Sequence, residues 1–357
     1  MIHSLARASL RRFARVGGWN RGNVFGNANR SRTSSGNRAD FSRLFATYLD
    51  DSPRDTVKKI APPDLARMKK KVERISMVTA YDFPTAVHVD TAGVDIVLVG
   101  DSLGMVVMGH TNTLRVTVDD VIHHSKCVVR GVRRAMVVGD LPFGSYEHGA
   151  AAALATGLRF IKEAGVDAVK LEGGGAVEVD CVRALARAGI AVMGHIGLTP
   201  QRVGAIGGFR AQGRTAKAAA SLVEQALRLQ DAGAMSIVLE CVPEEVGRWV
   251  TEQVEVPTIG IGAGPGTDGQ VLVFHDMLGV GAGTALGQPP RFVKQYAAVG
   301  DQIQHGLRQY VSDVKAGTFP DKAHSPYKMA AGESIQSIQS PQSAQSPGGG
   351  SDKEHSK

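Results

Sequence analysis

The chain has 357 residues, of which 43% are hydrophobic and 21% are charged. These proportions are typical of a globular, enzyme-sized chain and exclude a fibrous or wholly disordered one. No apolar run reaches the roughly 20 residues that a membrane-spanning helix needs, so the sequence predicts no membrane partner.

The net charge of +7 is concentrated at the N-terminus. Residues 1–39 contain eight Arg but no Lys, Asp or Glu. Those eight charges exceed the net charge of the whole chain, so the remainder is close to neutral. A nucleic-acid binder carries basic residues on its folded body, where they neutralise phosphates. The distribution of charge therefore predicts no nucleic-acid partner.

The N-terminal segment has the composition of an organelle transit peptide, which is rich in Arg and Ser and poor in acids. Its basic and apolar residues fall on opposite sides of a helical wheel: Arg7, Arg11, Arg12 and Arg15 against Ile2, Leu5, Leu10, Phe13 and Val16. We interpret residues 1–56 as a disordered targeting segment and linker, directed to the mitochondrion in preference to the plastid. A basic arm without a targeting function is the alternative.

Eight short apolar runs follow, each bounded by turn residues. Such runs are typical of buried parallel strands, and they lie at 75–82, 94–101, 134–141, 166–173, 190–197, 234–241, 256–264 and 270–277. Most of the intervals have a helical pattern that ends in Ala-Gly. The pattern predicts a (β/α)8 TIM barrel over residues 57–324. A doubly wound open sheet also alternates strands with helices and is the alternative. The interval between the last two runs is too short for a full helix, which is the weak point of the strand count.

The C-terminal segment differs in composition from the barrel. Residues 325–357 are rich in Ser, Gln, Pro and Gly and offer few residues for a core. We interpret them as a disordered tail.

Charged and polar residues recur where the predicted strands end. They are Asp82, Asp101, Ser102, Asp140, Lys170, Glu172, His195, Glu240, His275 and Asp276. The carboxyl ends of TIM-barrel strands meet at one rim, which carries the active site. Carboxylates that converge there repel one another unless a cation intervenes, and hard oxygen ligands favour Mg²⁺. The pattern therefore predicts that Asp101 faces a metal, with strand-end capping as the alternative.

A Mg²⁺ ion with open coordination positions can chelate a 2-oxo acid and act as a Lewis acid toward an enolate. Such chemistry also needs a base on the carbon side, and Glu240 at the end of the sixth strand is our candidate for proton abstraction. Lys170 is a candidate for holding negative charge nearby.

At these residues the sequence resembles the family of 3-methyl-2-oxobutanoate (ketopantoate) hydroxymethyltransferases. The segments that carry the resemblance are 79-TAYD-82, 98-LVGDSLGMVVMGH-110, 117-TVDD-120, 140-DLPF-143, 169-VKLEGG-174, 194-GHIGLTPQ-201, 239-LECVP-243, 259-IGIGAG-264, 268-DGQVLV-273 and 275-HD-276. They are spread in family order over roughly residues 57 to 320. The N-terminal arm and the tail lie outside the resemblance.

The resemblance implies a (β/α)8 enzyme that transfers a hydroxymethyl group from 5,10-methylenetetrahydrofolate to 3-methyl-2-oxobutanoate, with Mg²⁺, in pantothenate biosynthesis. It implies that Asp101, Asp140 and Glu172 bind the metal, Glu172 either directly or through water. It also implies that Asp101, Ser102, Asp140 and Lys170 contact the oxo acid, and that Glu240 is the proton acceptor. The family further implies a large homo-oligomer, commonly a decamer.

Two other functions remain open at this point. One is another Mg²⁺-dependent barrel enzyme, such as a 2-oxo acid C–C lyase or a phosphoenolpyruvate mutase. The other is a binding or assembly protein without activity, which the near-neutral body makes a poor candidate for nucleic acid.

Overall fold

The computed structural model of the protein describes residues 57–281 and 289–336. The predicted targeting segment and most of the predicted tail lie outside these residues. The predicted linker, which ends at residue 56, lies outside them as well.

The eight apolar runs form one closed parallel barrel in which each strand pairs with its neighbours in chain order and the last pairs with the first. The strands are β1 (Ile75–Thr79), β2 (Ile96–Val99), β3 (Met136–Asp140), β4 (Ala168–Glu172), β5 (Ala191–Gly197), β6 (Ser236–Glu240), β7 (Thr258–Ile261) and β8 (Gly269–Leu272). The predicted TIM barrel is confirmed. The open-sheet alternative is wrong, because β8 hydrogen-bonds to both β7 and β1.

Helices fill most of the intervals between strands. They are α1 (Pro62–Lys70), α2 (Phe83–Thr91), α3 (Leu103–Val106), α4 (Val118–Gly131), α5 (Ala150–Arg159), α6 (Ala176–Arg187), α7 (Val203–Ile206), α8 (Ala216–Asp231), α9 (Glu244–Gln253), α10 (Phe274–Met277) and α11 (Val299–Ala316). Local sequence determines where several of them begin. At α4, for example, Thr117 and Asp120 form a reciprocal capping box. No helix of the described residues is long and apolar enough to span a bilayer.

Two apolar layers hold the barrel together. Inside it, alternate strand residues such as Met136, Val138 and Met193 form one buried cluster. The strand residues between them, such as Val137 and Val169, pack outward against the helices in a second cluster. Side chains along a strand alternate between its two faces. Strand-end residues that lie an even number of positions from the inner cluster therefore also face the inside of the barrel. These residues are Asp140, Lys170, Glu172, His195 and Glu240.

The structure corrects two boundaries that affect the predicted rim. Strand β1 ends at Thr79, and Asp82 caps α2 by accepting a 2.8 Å hydrogen bond from the Thr85 amide. Strand β8 ends at Leu272, so His275 and Asp276 lie on α10 rather than on a strand. The interval between β7 and β8 is too short for a full helix, as the sequence indicated, and residues 262–268 join the two strands without one. β8 nonetheless pairs in parallel with both β7 and β1.

Candidate active site

A cavity of about 1050 Å³ lies at the carboxyl ends of the strands. Its lining includes every residue to which the sequence assigned a role: Asp101, Ser102, Asp140, Lys170, Glu172 and Glu240. His195, His275 and Asp276 also line it, whereas Asp82 does not. The strands therefore bring side chains from distant parts of the sequence to one chamber.

The floor of the cavity contains a buried ion pair between neighbouring strands. Asp140 on β3 is in register with Lys170 on β4. The Lys170 ammonium donates to both carboxylate oxygens of Asp140, at 2.8 and 2.7 Å. Burial alone would lower the pKa of Lys170, but the charges of Asp140, Glu172 and Asp101 outweigh burial and raise it. Burial also raises the pKa of Asp140, which Lys170 opposes, and the two short contacts place the ammonium directly against both carboxylate oxygens.

Asp101 lies just beyond β2 and is almost fully buried. Its backbone N–H donates to Asp140 Oδ2 at 3.3 Å, which places the two acids side by side. Among the described residues, Asp101 is the buried carboxylate that has no ion pair. Burial, followed by the charges of Asp140 and Glu172, raises the pKa of Asp101 to about 8. The acids of the site thus disfavour a charge on Asp101, and a cation in the cavity would favour its ionised form.

A second group of charges is centred on His195, which is 1% exposed. Its Nδ1 lies 3.4 Å from Glu172 Oε1 and its Nε2 lies 3.3 Å from Glu240 Oε2. Neither nitrogen forms a hydrogen bond of acceptable geometry, so the attraction is chiefly electrostatic. Burial and Lys170 lower the pKa of His195, but the two glutamates outweigh them and raise it to about 9. His195 is thus held as a cation between the two acids.

Glu240 differs from the other acids in being partly open to solvent. Its side chain is 17% exposed, against 1% for the side chains of Asp140 and Glu172. One side of its carboxylate faces His195, and the residue lines the cavity at the end of β6. An accessible carboxylate beside a buried cation can accept a proton from a bound molecule.

Two tyrosines and a glutamine take part in the site although no role was predicted for them. The Tyr81 hydroxyl lies 2.7 Å from that of Ser102. Gln201 donates to Asp101 Oδ2 at 2.9 Å, and its Oε1 accepts a 2.6 Å hydrogen bond from Tyr146. Gln201 ends the segment 194-GHIGLTPQ-201, so its place after β5 was visible in the sequence. Its contacts with Asp101 and Tyr146 could not be predicted, because those residues lie far away along the chain.

The upper wall of the cavity is built from the Gly-rich segment after α7, which supplies Phe209, Arg210 and Arg214. The Gly-rich sequence 204-GAIGGFRAQGR-214 predicts a mobile cover over the folate side of the cavity, with a merely long loop as the alternative. Its place at the cavity is consistent with a cover, and movement of the segment stays a prediction.

The acids of the site fit a divalent cation in charge and in chemistry. They offer hard oxygen ligands, and Asp101 lacks a cationic partner within the described part of the chain. Within that part, no group of three or more His, Cys, Asp and Glu side chains is arranged to hold a metal by itself. Mg²⁺ is commonly held by one or two carboxylates and completes its coordination with water and substrate. The predicted set of Asp101, Asp140 and Glu172 stays a prediction.

Comparison with known proteins places the chain among transferases. A family model described as Ketopantoate hydroxymethyltransferase matches residues 59–322. The Arabidopsis thaliana protein named "3-methyl-2-oxobutanoate hydroxymethyltransferase 1, mitochondrial" is 47% identical over 292 residues, which is 80% of this chain and 83% of that protein. The Syntrophomonas wolfei protein named "3-methyl-2-oxobutanoate hydroxymethyltransferase" is 56% identical over 256 residues, which is 72% of this chain and 91% of that protein.

A rice protein named "3-methyl-2-oxobutanoate hydroxymethyltransferase 1, mitochondrial" is 47% identical over 282 residues, covering 77% of this chain and 76% of that protein. The match to the family model spans the whole barrel, from α1 to the end of α11. It also includes every strand that places a side chain in the cavity. The chain therefore belongs to the ketopantoate hydroxymethyltransferase family of enzymes.

Proposed function

We propose that this enzyme transfers a hydroxymethyl group from 5,10-methylenetetrahydrofolate to 3-methyl-2-oxobutanoate, in the biosynthesis of pantothenate, the precursor of coenzyme A. The products are 2-dehydropantoate and tetrahydrofolate. The observation that carries the proposal is a single cavity with an accessible carboxylate, Glu240, above a buried group of acids and one lysine. The names of the relatives support the choice of oxo acid.

The roles of the residues follow from their charge and exposure. Lys170 and Ser102 are hydrogen-bond donors that can bind the oxo acid, beside Asp101 and Asp140. Mg²⁺ held by Asp101 and Asp140, with Glu172 bound directly or through water, would supply Lewis-acid stabilisation of negative charge on the keto oxygen.

Glu240 is the base in this proposal. It takes the proton from the carbon next to the ketone, and the electron pair of that C–H bond forms the enolate. Both bonds from the one-carbon unit to folate nitrogens break in the transfer: the enolate carbon replaces one nitrogen and the oxygen of one water replaces the other. The proton taken by Glu240 and one proton of that water end on the two nitrogens of tetrahydrofolate. His195 Nε2 lies 3.3 Å from Glu240 Oε2 and attracts that carboxylate, which keeps it at the cavity.

A turnover assay tests the proposal. Purified protein is incubated with 3-methyl-2-oxobutanoate, with and without methylenetetrahydrofolate, after removal of metal by a chelator and again after addition of Mg²⁺. We expect 2-dehydropantoate, measured by mass spectrometry, only when the folate and Mg²⁺ are both present. Cleavage of a 2-oxo acid without a folate would favour the lyase alternative, and turnover that is unchanged after chelation would contradict the metal requirement.

We further propose that residues 1–56 direct the protein to the mitochondrion. The Arg-rich composition supports this, as do the names of plant relatives that include "mitochondrial". Fusing the segment to a fluorescent reporter tests the proposal, and a reporter that stays outside mitochondria would contradict it.

We also propose that the protein forms a homo-oligomer, with a decamer as the expected size. The observation that supports an interface is the apolar side of α11. It carries five half-exposed side chains at helical spacing: Ile303, Leu307, Tyr310, Val311 and Val314, which are 45–56% exposed. A contiguous apolar surface of this kind is typical of an interaction site.

Replacing Leu307 by Glu should reduce the size of the assembly, because a charge buried in an apolar contact is costly unless it is paired. Light scattering after gel filtration measures the mass. Gln309→Glu, on the same helix but outside this set of apolar residues, is the matched control and should leave the mass unchanged. An equal mass for Leu307→Glu and wild type would remove α11 from the interface.

A further inference from the structure

Gln201 connects three of the strand ends that build the active site. It is 2% exposed and lies on the single turn Pro200–Arg202 that follows β5. Its backbone N–H donates to Glu172 Oε2 at 3.1 Å. Its side-chain Nε2 donates to Asp101 Oδ2 at 2.9 Å and to the Leu141 carbonyl at 3.0 Å. One residue therefore contacts the regions that follow β2 and β3 and the last residue of β4.

The neighbours of the Gln201 side chain determine its orientation. The Tyr146 hydroxyl accepts the Glu172 N–H at 3.2 Å, and its single hydrogen has two acceptors in reach, Gln201 Oε1 at 2.6 Å and the Glu172 carbonyl at 3.2 Å. The shorter contact takes the hydrogen. The carbonyl of Leu141 and the carboxylate of Asp101 are both acceptors, so the NH₂ group must face them. Both N–H hydrogens and the oxygen of the amide are thus used within the protein. Gln201 has no donor left over for a substrate.

Asp101 needs such a contact more than the other acids do. Asp140, Glu172 and Glu240 are strand residues, and the pleat of the barrel fixes their direction. Asp101 lies beyond the end of β2, where no strand pairing holds it. Gln201 holds its Oδ2, while no residue of the described chain hydrogen-bonds to its Oδ1. That oxygen is consequently available to a ligand in the cavity.

The chemistry of the donor also matters. Lys or Arg in this place would neutralise Asp101 and compete with a cation for it. An amide restrains the carboxylate by hydrogen bonding but leaves its charge intact. The arrangement is therefore suited to presenting a charged oxygen to a metal ion.

We propose that Gln201 is a positioning residue that, with Tyr146 behind it, orients the Asp101 carboxylate and joins it to Glu172. The inference rests on the proposed function in one respect, which is that Asp101 binds a divalent cation. Gln201 acts through Asp101 and does not contact the substrate.

Binding of Mn²⁺ to the metal-free, full-length protein tests this inference. The free ion is measured by electron paramagnetic resonance in wild type, Gln201→Leu and Tyr146→Phe. Loss of a residue that orients a metal ligand typically weakens binding by about 10- to 100-fold, and we expect this for Gln201→Leu. Tyr146→Phe should weaken binding less, because the amide stays in place but loses the partner of its oxygen.

Gln253→Leu is the matched control, since Gln253 is exposed at the end of α9 and does not line the cavity. It should bind Mn²⁺ as wild type does. Circular dichroism establishes that each variant is folded. If Gln201→Leu fails to fold, Tyr146→Phe, which removes only a hydroxyl, still tests the inference. A positioning role also predicts that high Mg²⁺ restores part of the turnover of Gln201→Leu.

Two outcomes would overturn the inference in different ways. If wild type binds Mn²⁺ and folded Gln201→Leu and Tyr146→Phe bind it equally well, Gln201 does not position the site and the proposed function stands. If wild type binds no Mn²⁺, the metal role of Asp101 is wrong, and the inference that depends on it is wrong as well.

Discussion

Replacing Glu240 by Gln is expected to abolish exchange of the proton on the carbon next to the ketone of 3-methyl-2-oxobutanoate. The amide has nearly the same shape as the carboxylate but cannot accept that proton. Removal of a general base typically lowers the rate by about 10²- to 10⁴-fold. Proton NMR in D₂O measures the exchange directly, without the folate and without the later steps of the reaction.

The same variant should still bind the oxo acid, because Asp101, Asp140 and Lys170 remain in place. Titration calorimetry in the presence of Mg²⁺ measures that affinity. Glu244→Gln provides a matched control, since Glu244 begins α9 and pairs with Arg248 on the surface. It should exchange the proton at the wild-type rate. Exchange that persists in Glu240→Gln would mean that another group is the base.

The second large effect is expected from Lys170→Met. The change leaves the Asp140 carboxylate, whose side chain is 1% exposed, without its cation. Breaking a buried ion pair in this way typically costs about 3–5 kcal/mol. Urea denaturation should therefore show a large loss of stability. Turnover should also be lost, since Lys170 is a predicted contact of the oxo acid.

Two further variants identify the cause of that loss. Lys58→Met removes a 75% exposed lysine from Asp64, which keeps its ion pair with Arg67, so this variant should lose little stability. The double variant Lys170→Met/Asp140→Asn removes both charges, so it should regain part of the stability but no activity. If Lys170→Met were no less stable than Lys58→Met, the Asp140–Lys170 pair would not be the buried ion pair described above.

Periodicity explains why much of the site could be predicted. Apolar runs of strand length appear in order, and the polar residues at their ends share parity with the inward residues. Asp140, Lys170, Glu172 and Glu240 could therefore be assigned to one rim before any coordinates were known. The boundaries were less certain, and Asp82 and His275 lie beyond strands that end earlier than predicted. Capping and short helices at strand ends depend on local hydrogen bonds that an apolar pattern does not record.

The amino-acid sequence by itself determined the barrel, the rim and the identity of its acids, because these depend on alternation along single strands. Only the tertiary structure decided which side chains touch. His195 lies between Glu172 and Glu240 because β5 is paired between β4 and β6. Gln201 reaches Asp101 across 100 positions of the chain, through closure of the barrel. Contacts between residues so distant in sequence depend on the packing of whole strands, which no local pattern specifies.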